Sequence, residues 1–312
     1  MDSFLIRNPI LNSADDITED LIKRIISNDL DSLTINYEFT SRNPNIPFSE
    51  WEIQQLKINP FRIANKVKEL RKIEFKVILG TNVHDLSGAF MKFNKLEYVN
   101  LQNTSNITNM GSLFAGDPLF NQFIGNWDTS NVTNMRAMFE GCVSFNQPIH
   151  QWNTSKVKIM DAMFHDAKSF NQPIGNWNTS NVNDMQWMFK NASSFDQYVG
   201  GWDTRNVTNM ESMFESASMF NKPLRDWNTS KVKNMRNMFA NASLFNQPIN
   251  NWDTRNVTDM SNMFILYSSY SYPKPKFYGS QNINKSGCLP CLLLMFSALC
   301  GLYQFLSYTS II

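Results

Sequence analysis

A tryptophan recurs every 25 residues through the middle of this chain, from Trp127 to Trp252, with no slip in the spacing. Around each one stands the same pattern, Phe-Asn-Gln-Pro-Ile-x-x-Trp-Asx-Thr, followed by a valine, a methionine and a Met-Phe pair. A unit this short cannot bury its own apolar face and is stable only when a neighbouring unit covers it. The sequence therefore predicts a stack of short copies, with tryptophans at residues 127, 152, 177, 202, 227 and 252.

The second half of each copy has the apolar spacing of a short helix. Val132, Met135, Phe139 and Cys142 are three, four and three residues apart, which places them on one helical face. Residues 128–131 carry side chains that can accept from the free amides at a helix start. We expect a left-handed residue to end each helix, at positions that hold Gly, Asp, Asn or Ser: 116, 141, 166, 191, 216 and 241.

The first half of each copy reads as extended, because proline follows Phe-Asn-Gln in most copies and cannot continue a helix. We place a short strand over 149–153 and its equivalents. Stacking then superposes identical residues, so the tryptophans and two sets of phenylalanines form continuous apolar columns. These columns are predicted to be the core and to have no part in function.

The positions that differ between copies are the candidates for partner contact, because a rigid frame leaves them free to vary. One variable pair precedes the tryptophan and another follows the threonine. An alternative is that they vary because nothing contacts them. The eight candidate residues are His150, Gln151, Lys156, Lys158, Arg225, Asp226, Lys231 and Lys233.

The amino-terminal region, 1–82, has no 25-residue copy and is predicted to be a mixed α/β cap. We expect a helix near residues 15–26, a strand over Leu33–Phe39 and a second helix from Ser49. The basic run 66–73 has the pattern of a helix with a solvated face. Weaker copies begin at Val83, and residues 96–103 then match the L-x-x-L-x-L-x-x-N pattern of a leucine-rich repeat.

The repeat pattern resembles the BspA-type leucine-rich repeat, the 25-residue repeat of mycoplasma surface lipoproteins, over about residues 83–264. The resemblance implies an α/β, leucine-rich-repeat-like solenoid with one short strand and one short helix per unit. It also implies binding, including adhesion at cell surfaces, and no catalysis. The amino terminus departs from the surface lipoproteins because it has neither a signal peptide pattern nor a cysteine for lipid attachment.

The carboxy-terminal part divides into a Pro- and Tyr-containing linker, 265–287, and an apolar tail, 288–312. Leu289–Tyr308 is long and apolar enough to span a bilayer, and lysines lie only on its amino side. By the positive-inside rule this predicts a tail-anchored membrane protein with cytosolic repeats. The alternatives are an apolar cap on the end of the stack and a soluble intracellular protein.

Composition and motifs argue against several classes of function. The net charge of +1 gives no electrostatic reason for a nucleic-acid partner. The three histidines have no metal-ligand spacing, and Cys288 and Cys291 form a C-x-x-C motif with no second pair for zinc. No phosphate-binding loop or nucleophile motif occurs. We therefore predict no cofactor, no metal, no small-molecule substrate and no enzymatic activity. The predicted function is a non-enzymatic scaffold for an unidentified protein partner, held at a membrane by its tail; the alternatives are a soluble intracellular adaptor and a surface adhesin exported by an unrecognised route.

Overall fold

The computed structural model describes residues 10–11, 32–39, 72–79, 84–92, 96–265 and 269–276. The helix expected near residues 15–26, the helix expected from Ser49 and the apolar segment Leu289–Tyr308 lie outside this described part. The described residues are those that form the amino-terminal sheet and the repeats.

Four parallel strands form one sheet in chain order: β1 (Ile10–Leu11), β2 (Ser32–Phe39), β3 (Lys72–Leu79) and β4 (Leu96–Gln102). Strand β2 confirms the strand predicted over Leu33–Phe39. The basic run predicted to be helical continues into β3, where Ile73 pairs with Leu33 on one side and Leu96 on the other. The helix prediction for the basic run is therefore wrong at its last two residues, Lys72 and Ile73, which belong to β3.

Strand β4 coincides with the leucine-rich-repeat pattern of the sequence. Leu96, Val99 and Leu101 are buried, as the apolar positions of that pattern require. Asn103 follows in the left-handed conformation, with φ 65°, and the chain turns into a short 3-10 helix over Thr104–Asn106. Asparagine is one of the few residues that adopt this conformation readily, so the strand ends where the sequence provides for it.

From Asp85 onward, successive copies are joined by a parallel ladder of single bridges. After each bridge residue comes a row of turns, for example 134–141, and we call each such segment a turn row. Alternate amides of a turn row donate to the next copy: Ala137 N to Asp161 O at 2.8 Å, and Phe139 N to Met163 O at 3.0 Å. The bridge residues are 85, 109, 134, 159, 184, 209, 234 and 259.

The short helix predicted over Val132–Cys142 is wrong, because these residues form a turn row. The remaining amides bond three residues back, as Met138 N does to Met135 O at 3.3 Å. Two residues per row are left-handed, here Ala137 with φ 50° and Gly141 with φ 71°, and left-handed residues interrupt an α-helix. The predicted left-handed positions are confirmed, with φ between 57° and 79° at residues 116, 141, 166, 191, 216 and 241.

The strand predicted over 149–153 is also wrong, because a turn occupies this part of the copy. Trp152 N closes that turn by donating to Ile149 O at 3.2 Å. The parallel pairing between copies lies instead at the residue after the Val-x pair, such as Asn134 and Ile159. Proline at residue 148 disfavours a helix, and either an extended chain or a turn satisfies that restriction.

The core consists of the predicted columns of aromatic rings. Phe139, Phe164 and Phe189 are fully buried, and neighbouring rings in this column are parallel with centroids 5.7 Å apart. Trp152 and Trp177 stack at 6.4 Å, and each indole of the 25-residue tryptophan column from Trp152 onward donates to a carbonyl of the preceding copy. A buried N–H group needs a hydrogen-bond acceptor, and these carbonyls supply one to each of the indoles.

Residues 269–276, which the sequence places in a linker, continue the contacts of the stack as a partial copy. The Tyr270 ring stacks on Phe245 at 6.1 Å and on Phe264 at 4.3 Å. Ser271 N donates to Asn246 Oδ1, as the residue after the phenylalanine does in earlier copies. The phenylalanine column therefore ends in a tyrosine that occupies the same position.

Candidate interaction surface

A column of buried threonines holds the segment that follows each tryptophan. Thr154 Oγ1 donates to Asn178 O at 3.0 Å, and the threonines of the neighbouring copies make the same bond to the carbonyl 24 residues on. The preceding Asx residue accepts from the amide two residues later, as Asn153 does from Ser155 N at 3.0 Å. The Asx column therefore stabilises the turns that follow the tryptophans. These bonds fix the backbone and direct the next side chains outward.

The exposed side chains after the threonine form a ladder along the stack. Asparagines at this position donate to the serine carbonyl of the preceding copy, as Asn181 Nδ2 does to Ser155 O at 2.7 Å. Where lysine replaces asparagine, the amine reaches back to the asparagine of the preceding copy. Lys156 Nζ donates to Asn131 Oδ1 in this way, and Lys231 Nζ donates to Asn206 Oδ1 at 2.8 Å.

The four candidate lysines of this ladder, which we call the lysine strip, lie on the surface and carry uncompensated charge. Lys156, Lys158, Lys231 and Lys233 are all exposed, and none forms a salt bridge within the described residues. They contribute four positive charges to a chain whose net charge is +1, so the remainder of the chain is net negative. The strip is therefore a local region of positive potential.

Two arginines beside the lysine strip are neutralised by aspartates of their own copy. Arg205 Nε lies 2.8 Å from Asp203 Oδ2, and Arg255 Nη2 lies 2.7 Å from Asp253 Oδ2. The hydrogen bonds and charge of Arg255 lower the pKa of Asp253 to about 2. The two arginines are therefore paired, whereas the lysines of the strip have no anionic partner in the described part of the chain.

The other four candidates, which we call the turn set, lie in the turns before two tryptophans. Gln151, Arg225 and Asp226 are exposed, whereas His150 is half-buried and its Nδ1 has no hydrogen-bond partner in the structure. No hydrogen bond or ion pair connects the turn set to the lysine strip among the described residues. The candidates thus form two separate groups on the surface.

Sequence reasoning missed an apolar feature next to the turn set. Phe123 and Tyr198 stand where other copies have proline, and both are about half exposed, at 53% and 51%. A Cβ at Gly200 would lie only 2.8 Å from the Tyr198 ring, so the ring packs directly over that glycine. The signal was present in the sequence, since a ring replaces proline in only these two copies and a glycine follows each ring two residues later.

The turn rows carry a column of charged and polar side chains. Arg136 Nε binds Asp161 Oδ2 at 3.0 Å, and the Asp161 side chain is only 5% exposed. Burial raises the pKa of Asp161, against the opposing effect of Arg136. Burial also raises the pKa of Asp184 in the next copy, where Glu211 adds to the effect. The pairing and the burial both indicate a structural role for this column.

His165 and Cys142, whose residue types often carry chemistry, are both engaged in structural contacts. His165 Nδ1 lies 3.2 Å from Glu140 Oε1, and its Nε2 lies 3.2 Å from Asp166 Oδ2. Cys142 is buried, donates to Phe114 O at 3.1 Å, and has a pKa raised by burial. Within the described residues, no three His, Cys, Asp or Glu side chains are grouped so as to hold a metal ion.

One open depression borders the end of β4. It is lined by residues 101–105 and 126–128, and its volume is about 420 Å³. Asp128 is its single ionisable side chain, and Ser130 lowers the pKa of that carboxyl by donating a hydrogen bond to it. The depression therefore brings no pair of reactive groups together.

The stacked copies and their exposed variable positions define a repeat protein. The chain belongs to the family described as "Mycoplasma protein of unknown function, DUF285", whose model matches residues 84–199 and 173–277, together more than half of the chain. Comparison with the curated proteins and with the solved structures gave no significant match. The family match starts beside the first turn row, and it ends beside the last described residue, Lys276.

In the described part of the chain, no helix is long and apolar enough to cross a bilayer. The segment Leu289–Tyr308, which carries the prediction of a membrane anchor, lies outside those residues.

Proposed function

We propose that the chain is a non-enzymatic interaction scaffold that binds a partner protein through side chains displayed on a leucine-rich-repeat-like solenoid of the BspA type. The leucine-rich-repeat pattern at β4 and the parallel ladder that continues from it support this type of repeat. The proposal also includes attachment to a membrane through Leu289–Tyr308, with the repeats on the cytosolic side.

The observation that carries this proposal is the separation between an invariant buried frame and variable exposed positions. Residues identical in every copy, such as Trp177 and Thr179, are almost completely buried and bonded to neighbouring copies. Seven of the eight candidate residues are exposed, and the columns to which they belong change residue type along the stack. A rigid frame with changeable surface residues is the arrangement by which repeat proteins bind partners.

The lysine strip gives the proposed interface its chemistry. Side chains in the columns of Lys156 and Lys158 are amides, hydroxyls or amines in every described copy, and none is a carboxylate. A partner that offers acidic groups to these columns meets no repulsion there, and the lysines increase the rate of its association. We therefore assign the partner an acidic contact surface.

The experiment is a pull-down from the source cells with the full chain and two double variants. Lys156→Gln with Lys158→Gln removes two charges from the lysine strip. Lys168→Gln with Arg236→Gln removes two charges from exposed positions elsewhere on the repeats, and therefore serves as the matched control. We expect the partner recovered by the wild-type chain to be reduced about tenfold or more by the first variant only, and reduced further by added salt.

Two results would contradict this proposal. One is recovery of the partner at the same level with both variants, which would remove the lysine strip from the interface. The other is the absence of any stoichiometric partner, together with a catalysed change in a cellular metabolite, which would indicate an enzyme. Thermal unfolding of both variants establishes that the frame is intact, since neither substitution touches a buried column.

A further inference from the structure

The alternate amides of every turn row with a following copy donate in the same direction, toward that next copy. In row 234–241, Met235 N donates to Asp259 O at 2.8 Å and Phe239 N donates to Met263 O at 3.0 Å. Every earlier row has the same polarity, with its alternate amides directed at the next copy. The side of a row that faces the next copy therefore offers only donors, whereas its alternate carbonyls accept from the preceding copy.

The last described turn row, 259–265, has the same backbone form, and no further turn row follows it among the described residues. Asn262 is left-handed with φ 58°, and Ile265 N bonds three residues back to Asn262 O, as in the interior rows. The amides of Met260, Asn262 and Phe264 have no acceptor among the described residues. Three parallel N–H groups are thus left without partners at one edge, which is the property that makes a strand edge a template for another chain.

The side chains at this edge are also incompletely covered. Met235 and Phe239 in the preceding row are fully buried, whereas Met260 and Phe264 are only partly buried. Lys274 extends over the Phe264 ring, with its Nζ 5.5 Å from the ring centroid. The sequence does not supply another row, because Lys285 and Leu289 stand 25 residues after Met260 and Phe264.

We propose that row 259–265 is a docking edge, and that it binds a segment of another protein that folds as one more turn row. The segment supplies three alternate backbone carbonyls to the three free amides, and a methionine and a phenylalanine that pack on Met260 and Phe264. The interior rows of this chain show this contact repeatedly, since each receives such a segment from the next copy. This edge is separate from the lysine strip, and the inference does not depend on it.

A second copy of this chain does not fit the edge. A two-fold dimer would place N–H groups opposite N–H groups, because the edge offers only donors. A head-to-tail contact would need the carbonyl side of the first described row, 84–92. Leu86 and Phe90 in that row are completely buried, so the apolar surface that would pack on Phe264 is already covered at that end. The partner is therefore a different protein with an uncovered row of the same kind.

The test uses the full chain and a synthetic peptide of its own sequence 229–242, which contains one complete turn row. Amide hydrogen exchange is measured residue by residue. We expect saturating peptide to slow exchange at Met260, Asn262 and Phe264 by about tenfold or more. The equivalent interior amides at Met235, Asn237 and Phe239 are already bonded, so their exchange should not change.

Two substitutions in the full chain locate the binding. Met260→Asp places a charge on the apolar part of the edge and should weaken peptide binding by about tenfold or more. Leu244→Asp introduces the same charge at a residue that is 48% exposed and lies outside the edge, so it should leave binding unchanged. Unchanged exchange at the interior amides of both variants shows that the stack remains folded.

Several outcomes would overturn the inference. One is unchanged exchange at the three amides in saturating peptide, and another is equal protection by a peptide of scrambled sequence. A third is equal protection by inorganic phosphate, which would make the edge an anion site. Protection that appears without peptide and grows with the concentration of the chain would show that a second copy occupies the edge.

Discussion

At the scale of single residues, each identical position makes one defined contact with a neighbouring copy. Trp177 shows the pattern, since its indole donates to Ile149 O at 3.2 Å and stacks between Trp152 and the Phe164 ring. The sequence predicted the burial of this ring from its period alone. It could not predict the acceptor, because that carbonyl lies 28 residues earlier and has no side-chain signal.

Replacing one tryptophan of the column should be strongly destabilising. Trp177→Ala removes a side chain that is only 4% exposed and leaves a cavity between two copies. Substitutions of this kind cost about 3–5 kcal/mol of unfolding free energy, measured by chemical denaturation. The control is Tyr198→Ala at a half-exposed ring, which should cost less than about 1 kcal/mol. Equal losses in the two variants would contradict the buried column.

Asp184, a residue of the bridge column, should make stability fall as the pH rises. Its pKa is raised by burial, so the folded protein binds this proton more tightly than the unfolded chain does. The unfolding free energy contributed by this group therefore decreases from the ordinary Asp pKa of 3.8 up through the raised value, and is constant above it. The charged form at neutral pH is the less favourable one in the folded state.

Asp184→Asn tests this sign. The amide can still accept from Gln186 N, as Asn134 does from Arg136 N in an equivalent position. We expect the variant to gain stability relative to the wild-type protein as the pH rises through that window, measured by denaturant titrations at several pH values. A variant that instead loses stability at neutral pH would show that the hydrogen bonds from Gln186 and Asn209, with the charge of Arg136, outweigh the burial of this carboxyl.

At the scale of elements, the turn row replaces the helix that the apolar spacing indicated. Apolar residues three and four apart share a face in an α-helix, and they do so here in a row of turns as well. Two features decide between these forms, and neither is visible as a local signal. The alternate amides find acceptors in the next copy, and a left-handed conformation occurs at Ala137 and even at Trp187, residue types that seldom adopt it.

The left-handed positions should tolerate glycine and reject β-branched residues. Asn191 has φ 59°, and valine there should cost about 1–2 kcal/mol in backbone strain. Asn191→Gly loses the bond from Nδ2 to Asp166 Oδ1 but has no such strain, so it should unfold closer to the wild-type midpoint. The control is Asn181→Val, which removes a similar amide bond at a residue whose φ is not positive. If Asn191→Val and Asn181→Val unfold alike, the turn-row conformation is wrong.

At the scale of the whole molecule, the repeats are the part of the chain whose structure could best be predicted from the sequence. The period fixed the columns because stacking superposes identical residues whatever conformation each copy adopts. The sequence placed β2 correctly, but the continuation of the basic run into β3 was missed. Alternating Lys and apolar residues at 66–73 fit a helix as well as a strand. The eight surface candidates were identified because they depart from the residue that other copies carry. Phe123 and Tyr198 also depart from it, since they replace proline, but they were missed.

Attachment to a membrane belongs to this scale, and two forms of the chain test it. We expect the full chain to partition into the detergent phase and a chain that ends at Phe277 to remain in the aqueous phase. The physical reason is the uncharged, mostly apolar segment Leu289–Tyr308. The shorter chain keeps every described residue of the repeats, so its thermal unfolding should be unchanged. Aqueous partitioning of both forms would contradict the anchor.

The copies stack with their tryptophans buried between them, and tryptophan fluorescence measures that burial directly. In a chain with Trp51→Phe and Trp187→Phe, the six remaining tryptophans are those of the column. We predict emission typical of buried indoles and little quenching by acrylamide, because each ring is at most 8% exposed. Emission and quenching like those of free tryptophan in water, in a chain that is otherwise folded, would contradict the stacked structure.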